Sequence, residues 1–171
     1  MQKVYKVLKK VANWTDWVAE KILIFLMGVM LLSVLVQIFY RYIFSHFIHY
    51  SLPYTEELAR YVSIWIVYLG IAVGLKEGIH ISFDLLYKKL SPKGQRQLYV
   101  LGRIMMLYFI SVILIVGWNL LDRISSNISS AMRIPMVWAY SAPWIGSWLV
   151  LLRLLVQLLD AIFGFEGQKI N

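Results

Sequence analysis

The stretch Pro53-Tyr54-Thr55-Glu56-Glu57-Leu58-Ala59-Arg60 decides the fold, together with the segments that bracket it. Before it stands Gln37-Ile38-Phe39-Tyr40-Arg41-Tyr42-Ile43-Phe44. After it come Gly70-Ile71-Ala72-Val73-Gly74 and Glu77-Gly78-Ile79-His80, with Asp84 closing the block. Phe39, Tyr40 and Tyr42 form an aromatic belt of the kind that ends a membrane span. Pro53 sits near the end of a short loop. Thr55 suits a helix N-cap, with Glu56 and Glu57 in the first turn, where the helix dipole favours negative charge. The block therefore reads as the end of one membrane helix, a loop, a second membrane helix and its exit.

Composition supports that reading. Of 171 residues, 60% are hydrophobic and only 15% charged, and the mean hydropathy is +0.68. Several apolar runs reach the length of about 20 residues needed to cross a bilayer. Expected spans lie at about 22–42, 56–75, 98–121 and 138–163, giving an all-α, four-span membrane domain over residues 1–171. The chain has no cysteine, which excludes disulfides, thiolate catalysis and Cys-ligated metals. Residues 1–20 are basic. Val4, Val7, Leu8 and Val11 share one helical face ahead of Trp14 and Trp17, the pattern of an amphipathic helix lying in the interface, or of a basic lead-in to the first span. Ser91-Pro92-Lys93-Gly94 reads as a turn. Arg103, near the start of span three, is expected to snorkel to the headgroups.

A net charge of +8 invites a nucleic-acid reading, but the positive-inside effect explains the scattered basic residues better, and no nucleic-acid partner is expected. All ten Lys and Arg96 fall in the amino-terminal segment, the loop between spans two and three and the tail. Arg41, Arg60, Arg123 and Arg133 edge the other two loops. Both termini are thus expected in the cytoplasm, with residues 43–55 and 123–137 outside.

Arg41, Glu56, Glu57 and Arg60 gather two positive and two negative charges at the outer end of the first hairpin. Adjacent helical residues point about 100° apart, so the two Glu make a poor metal chelate. Arg60 lies within intrahelical pairing distance of both. An ion-pair cluster pinning the hairpin is the main expectation, and direct contact with a partner the other. Gly70 with Gly74 and Ala142 with Gly146 have the small-xxx-small spacing that lets helices approach closely in lipid. Pro143 either starts or kinks span four. His80 and Asp84, expected on the cytoplasmic side, are too few for a zinc site. No metal, cofactor or catalytic residue is expected. Arg153, Gln157 and Asp160, at i, i+4 and i+7, share a face of span four; an Arg inside a span is costly unless it is paired or snorkels to the interface, and an acidic partner in this chain or another subunit is expected.

In order, these motifs resemble the small membrane (Q) subunit of tripartite ATP-independent periplasmic (TRAP) transporters. The elements that carry the resemblance are Gln37 with Arg41-Tyr42-Ile43-Phe44, Thr55-Glu56-Glu57-Leu58-Ala59-Arg60, Gly70 with Ala72, and Gly78-x-His80-x-x-x-Asp84. Ile134-Pro135 and Tyr140-Ser141-Ala142-Pro143 complete the set. Tyr54 departs from the family, which usually has Trp there. The resemblance implies a non-catalytic scaffold in the bacterial inner membrane. Its implied partners are a large sodium-coupled membrane subunit, a transient periplasmic solute-binding protein and the lipid bilayer. The implied cargo is small carboxylate-bearing solutes such as sialic acids or C4-dicarboxylates. The alternative class is a membrane anchor for a redox enzyme.

Overall fold

The structure, a computed structural model, describes residues 2–44, 53–76 and 91–163. Four helices make it up: α1 (Gln2–Phe39), α2 (Pro53–Lys76), α3 (Pro92–Ile124) and α4 (Val137–Phe163). A π-helical turn, Tyr40–Phe44, continues α1. All four are long and apolar enough to cross a membrane. Each outruns the apolar stretch read for it, most of all α1.

The amphipathic segment expected ahead of span one is helical and unbroken into that span. At 38 residues, α1 is roughly 57 Å long, nearly twice the hydrocarbon thickness of about 30 Å. Its bundle-facing residues explain the continuity. Tyr5, Ala12, Asp16, Ala19 and Ser33 are buried, and Leu23 and Leu26 pack beside them. These positions recur at spacings of three, four or seven residues, so one side of the helix meets its neighbours from the first turns onward.

The central element is α4, which packs against the other three. Tyr5 and Ala12 of α1 meet Val156 of α4. Ala19 of α1 meets Leu69 and Val73 of α2, with Leu149 of α4 alongside. Ala72 and Leu75 of α2 meet Val150 and Leu154 of α4, with Met106, Leu107 and Ile110 of α3 against them. Small residues set the α2–α4 distance. Ala142 is fully buried, and a Cβ at Gly146 would lie 2.8 Å from the Tyr68 Cβ and 3.1 Å from its carbonyl oxygen. Trp144 seals α4 to α3, its ring 5.7 Å from that of Trp118.

Three local expectations change. Ser91-Pro92-Lys93-Gly94 is not a free turn but the start of α3: Ser91 is the N-cap, its Oγ accepting from the Gly94 amide at 3.4 Å. Pro92 follows at the first helical position, where no amide hydrogen bond is lost. Pro143 lies inside α4, two turns after its start, and leaves the Ala139 carbonyl without its i+4 amide. Arg103 does not reach outward. It is buried, with its guanidinium 4.7 Å above the Tyr99 ring and Nη2 donating to the Tyr99 hydroxyl at 3.2 Å.

Candidate functional site

Two polar sites tie the helices together. The first joins α2 to the loop between α3 and α4. Glu57 lies one turn into α2 and is 8% exposed. Its Oε1 accepts from the Tyr61 hydroxyl at 2.6 Å. Its Oε2 accepts from the backbone amides of Ala131 at 2.9 Å and Met132 at 2.7 Å. The loop presents those amides because it closes on itself. The Ser129 amide donates to the Ile134 carbonyl at 2.9 Å and the Met136 amide to the Asn127 carbonyl at 3.0 Å. Arg133 turns the chain with φ 55°, in the left-handed region that non-glycine residues rarely enter. Three donors on one carboxylate give it counter-charge from dipoles, without a cation.

The four charges expected as one cluster are therefore divided. Glu56 pairs with Arg60 at 3.4 Å on the exposed side of α2. Glu57 turns the other way, by the 100° that separates neighbours on a helix, into the bundle. Arg41 lies exposed in the π-helical turn.

The second site joins α1, α2 and α4. Arg153 of α4 lies 3.3 Å from Oδ2 of Asp16 of α1, and the Asp16 side chain is 3% exposed. Arg153 Nη1 also donates to Asn13 Oδ1 at 3.0 Å. Gln157, one turn on, reaches a different helix, its Nε2 donating to the Leu75 carbonyl of α2 at 3.0 Å. That bond serves one of the carbonyls left open at the end of α2. Lys76 pairs with Glu20 at 3.5 Å. Asp16 Oδ2, Arg153 Nε and Gln157 Oε1 have no hydrogen bond among the described residues. Arg153 and Gln157 thus lie on the same face of α4 but serve different neighbours. Asp160 is half-buried on the same face.

The acid that faces Arg153 is Asp16, which the sequence reading placed in the lead-in ahead of the first span. Its signal was available: an acid at the register of Tyr5, Ala12 and Ala19. Tyr61, Glu20 and Lys76 were also missed. The two small-residue pairs part ways. Gly146 sits against Tyr68 of α2 and Ala142 is fully buried, whereas a Cβ at Gly70 or Gly74 would meet nothing within 4 Å. His80 and Asp84 lie outside the described residues. Among the described residues, no group of three His, Asp or Glu could hold a metal.

Comparison with known proteins fits this architecture. Residues 30–164 match the family described as tripartite ATP-independent periplasmic transporters, DctQ component. A putative TRAP transporter small permease protein of Haemophilus influenzae is 28% identical over 94% of this chain and 98% of its own length. The C4-dicarboxylate TRAP transporter small permease protein DctQ of Vibrio cholerae is 31% identical over 64% of this chain, and the match spans 46% of that protein. The isethionate TRAP transporter permease protein DctMQ of Oleidesulfovibrio alaskensis is 28% identical over 86% of this chain, which matches only 24% of its length. Four helices able to span a membrane, together with a family match over most of their length, place this chain in the DctQ family; it is a small, multi-pass inner-membrane subunit of a TRAP transporter.

Proposed function

We propose that this subunit is a scaffold with no catalytic or ion-conducting groups of its own, in a sodium-coupled transporter that imports small carboxylate-bearing solutes. C4-dicarboxylates are the first candidates, because two similar proteins, from Vibrio cholerae and Rhodobacter capsulatus, carry that substrate in their names; sialic acids are the second. The observation that carries the scaffold reading is the use of the interior charges. Glu57 is bound by three donors, and Asp16 faces Arg153. Both carboxylates join one element of the bundle to another, which supports a structural role over a transport pathway. The fused DctMQ relative supports packing against a large membrane subunit. Sodium coupling and a transient periplasmic solute-binding protein follow from the resemblance drawn from the motifs.

The test is reconstitution with an imposed sodium gradient and labelled succinate. Uptake is expected only when this subunit, the large subunit and the binding protein are all present. Uptake by this chain alone above that of empty liposomes would overturn the scaffold reading. The Lys distribution supports cytoplasmic termini. In spheroplasts, an impermeant thiol reagent should then label a cysteine at exposed Ser130 and spare one at exposed Lys3. For the contact with the large subunit, the open face of Gly70 and Gly74 is the candidate surface. Replacing both with Leu should weaken co-purification by about 1–3 kcal/mol while leaving this chain folded. Unchanged association would assign that face to lipid.

A further inference from the structure

Helix α1 carries a second stripe, on the side turned away from the bundle. Lys3, Val7, Lys10, Trp14, Trp17 and Lys21 follow one another at alternating spacings of four and three, and all are exposed. The stripe continues at the same spacing through the exposed Ile24, Gly28, Leu31, Leu35 and Ile38 to Tyr42. From Lys21 to Tyr42 the helix rises roughly 31 Å, matching a hydrocarbon layer of about 30 Å. Between these two residues the stripe holds no charge, so they mark the two edges of the apolar layer. Trp17 and Trp14 then lie roughly 6 and 10 Å beyond Lys21, at headgroup depth and at its outer edge, where indoles partition well.

The charge on this part of the stripe has one sign. The only acids in the first 21 residues are Asp16 and Glu20. Asp16 is buried against Arg153, and Glu20 pairs with Lys76. Beside the stripe an apolar cavity of about 210 Å³ opens between three helices, lined by Trp14, Val18 and Ile22 of α1, Trp65 and Leu69 of α2, and Leu149 of α4. Trp14 belongs to both the stripe and the cavity.

We infer that Lys10, Trp14, Trp17 and Lys21 with this cavity form a binding site for an anionic phospholipid. Its phosphate meets the Lys21 ammonium, Lys10 adds positive potential about 16 Å further along α1, and one acyl chain enters the cavity. The cavity is too apolar to offer water its two to four polar partners, and its Ile22 end lies inside the apolar layer that begins at Lys21, so the chain of a lipid is the occupant at hand. A zwitterionic lipid brings its own ammonium to a surface that already has several, so the site favours a net negative headgroup. The cationic stripe is of the kind that attracts such lipids from a leaflet.

The test uses the full-length chain in neutral micelles, titrated with phosphatidylglycerol or phosphatidylcholine carrying the same brominated acyl chains, with tryptophan fluorescence as the readout. Phosphatidylglycerol should quench at the lower mole fraction. Lys10→Gln and Lys21→Gln should each weaken that preference roughly fivefold, and added salt should weaken it too, while quenching by phosphatidylcholine stays put. Trp14→Phe should remove the largest share of the quenching. Equal quenching by the two lipids in the wild type, or a preference that survives in the double lysine variant, would overturn the proposal and leave the stripe to a protein partner. Quenching unchanged by Trp14→Phe would overturn the placement of the chain in this cavity.

Discussion

Glu57 and Asp16 are both buried carboxylates, and the chain neutralises them in opposite ways. Glu57 accepts three hydrogen bonds, two of them from backbone amides of the loop between α3 and α4. Asp16 faces a guanidinium at 3.3 Å across a helix–helix contact, and its Oδ2 lacks a hydrogen bond among the described residues. The first arrangement is directional: it fixes where a loop sits. The second is Coulombic: it fixes which helices pair, and its energy hangs on both partners being present. A dipole-bound carboxylate should resist loss of any single donor but not loss of its own charge. An ion-paired one should fail when either partner goes and recover when both do.

The largest expected effect comes from leaving Asp16 alone. Arg153→Met strands a buried charge and should destabilise the bundle by about 3–5 kcal/mol in a denaturant titration of the purified subunit. Asp16→Leu combined with Arg153→Met removes both charges and should return to within about 1 kcal/mol of wild type, or exceed it. If the double variant is as unstable as the single one, Arg153 acts through Asn13 rather than Asp16, and the contrast with Glu57 breaks there.

The middle effect sharpens the contrast from the other side. In Glu57→Gln the amide oxygen can still accept from the Ala131 and Met132 amides while the nitrogen donates to the Tyr61 hydroxyl, which accepts as well as donates. What is lost is the negative charge, so both backbone bonds lose their charge assistance. Hydrogen exchange at Ala131 and Met132 should then rise on the order of tenfold, with the helices still protected. Exchange at the wild-type rate would mean that the loop holds itself through the Ser129–Ile134 and Asn127–Met136 bonds, with Glu57 a passenger.

The fold was legible because four apolar runs of spanning length admit few arrangements. The packing was legible only in part, and the failures share a physical cause. Gly70 with Gly74 and Ala142 with Gly146 have the same spacing, yet Gly146 is pressed against Tyr68 while Gly70 and Gly74 face open space. Spacing says that a close approach is possible; only the neighbour decides whether it happens. Arg153 announced that an acid was needed but not where. Its partner lay in a segment that read as preceding the bundle, because Lys21 and two Trp interrupt the apolar run. On the bundle-facing side alone, Tyr5, Ala12, Asp16 and Ala19 already had the continuous periodicity of one helix. Glu56 and Glu57 are identical in chemistry and adjacent in sequence, so propensity could not say which of them turns inward.

That adjacency sets the smallest prediction. Glu56 and Arg60 meet at 3.4 Å with side chains 63% and 67% exposed. Such a pair gives up side-chain freedom for a screened attraction and contributes about 0–1 kcal/mol. Glu56→Ala, Arg60→Ala and the pair together should therefore lie within about 1 kcal/mol of wild type in the same denaturant titration, with a coupling that shrinks as salt is added. The hydrogen exchange of Ala131 and Met132 should not change in any of them. The outcome that would undo this division is an Arg60→Ala variant in which loop exchange rises as it does in Glu57→Gln. Arg60 would then be reaching the inward carboxylate. The two acids would form one electrostatic unit, and the helical angle that separates them would not be what assigns their roles.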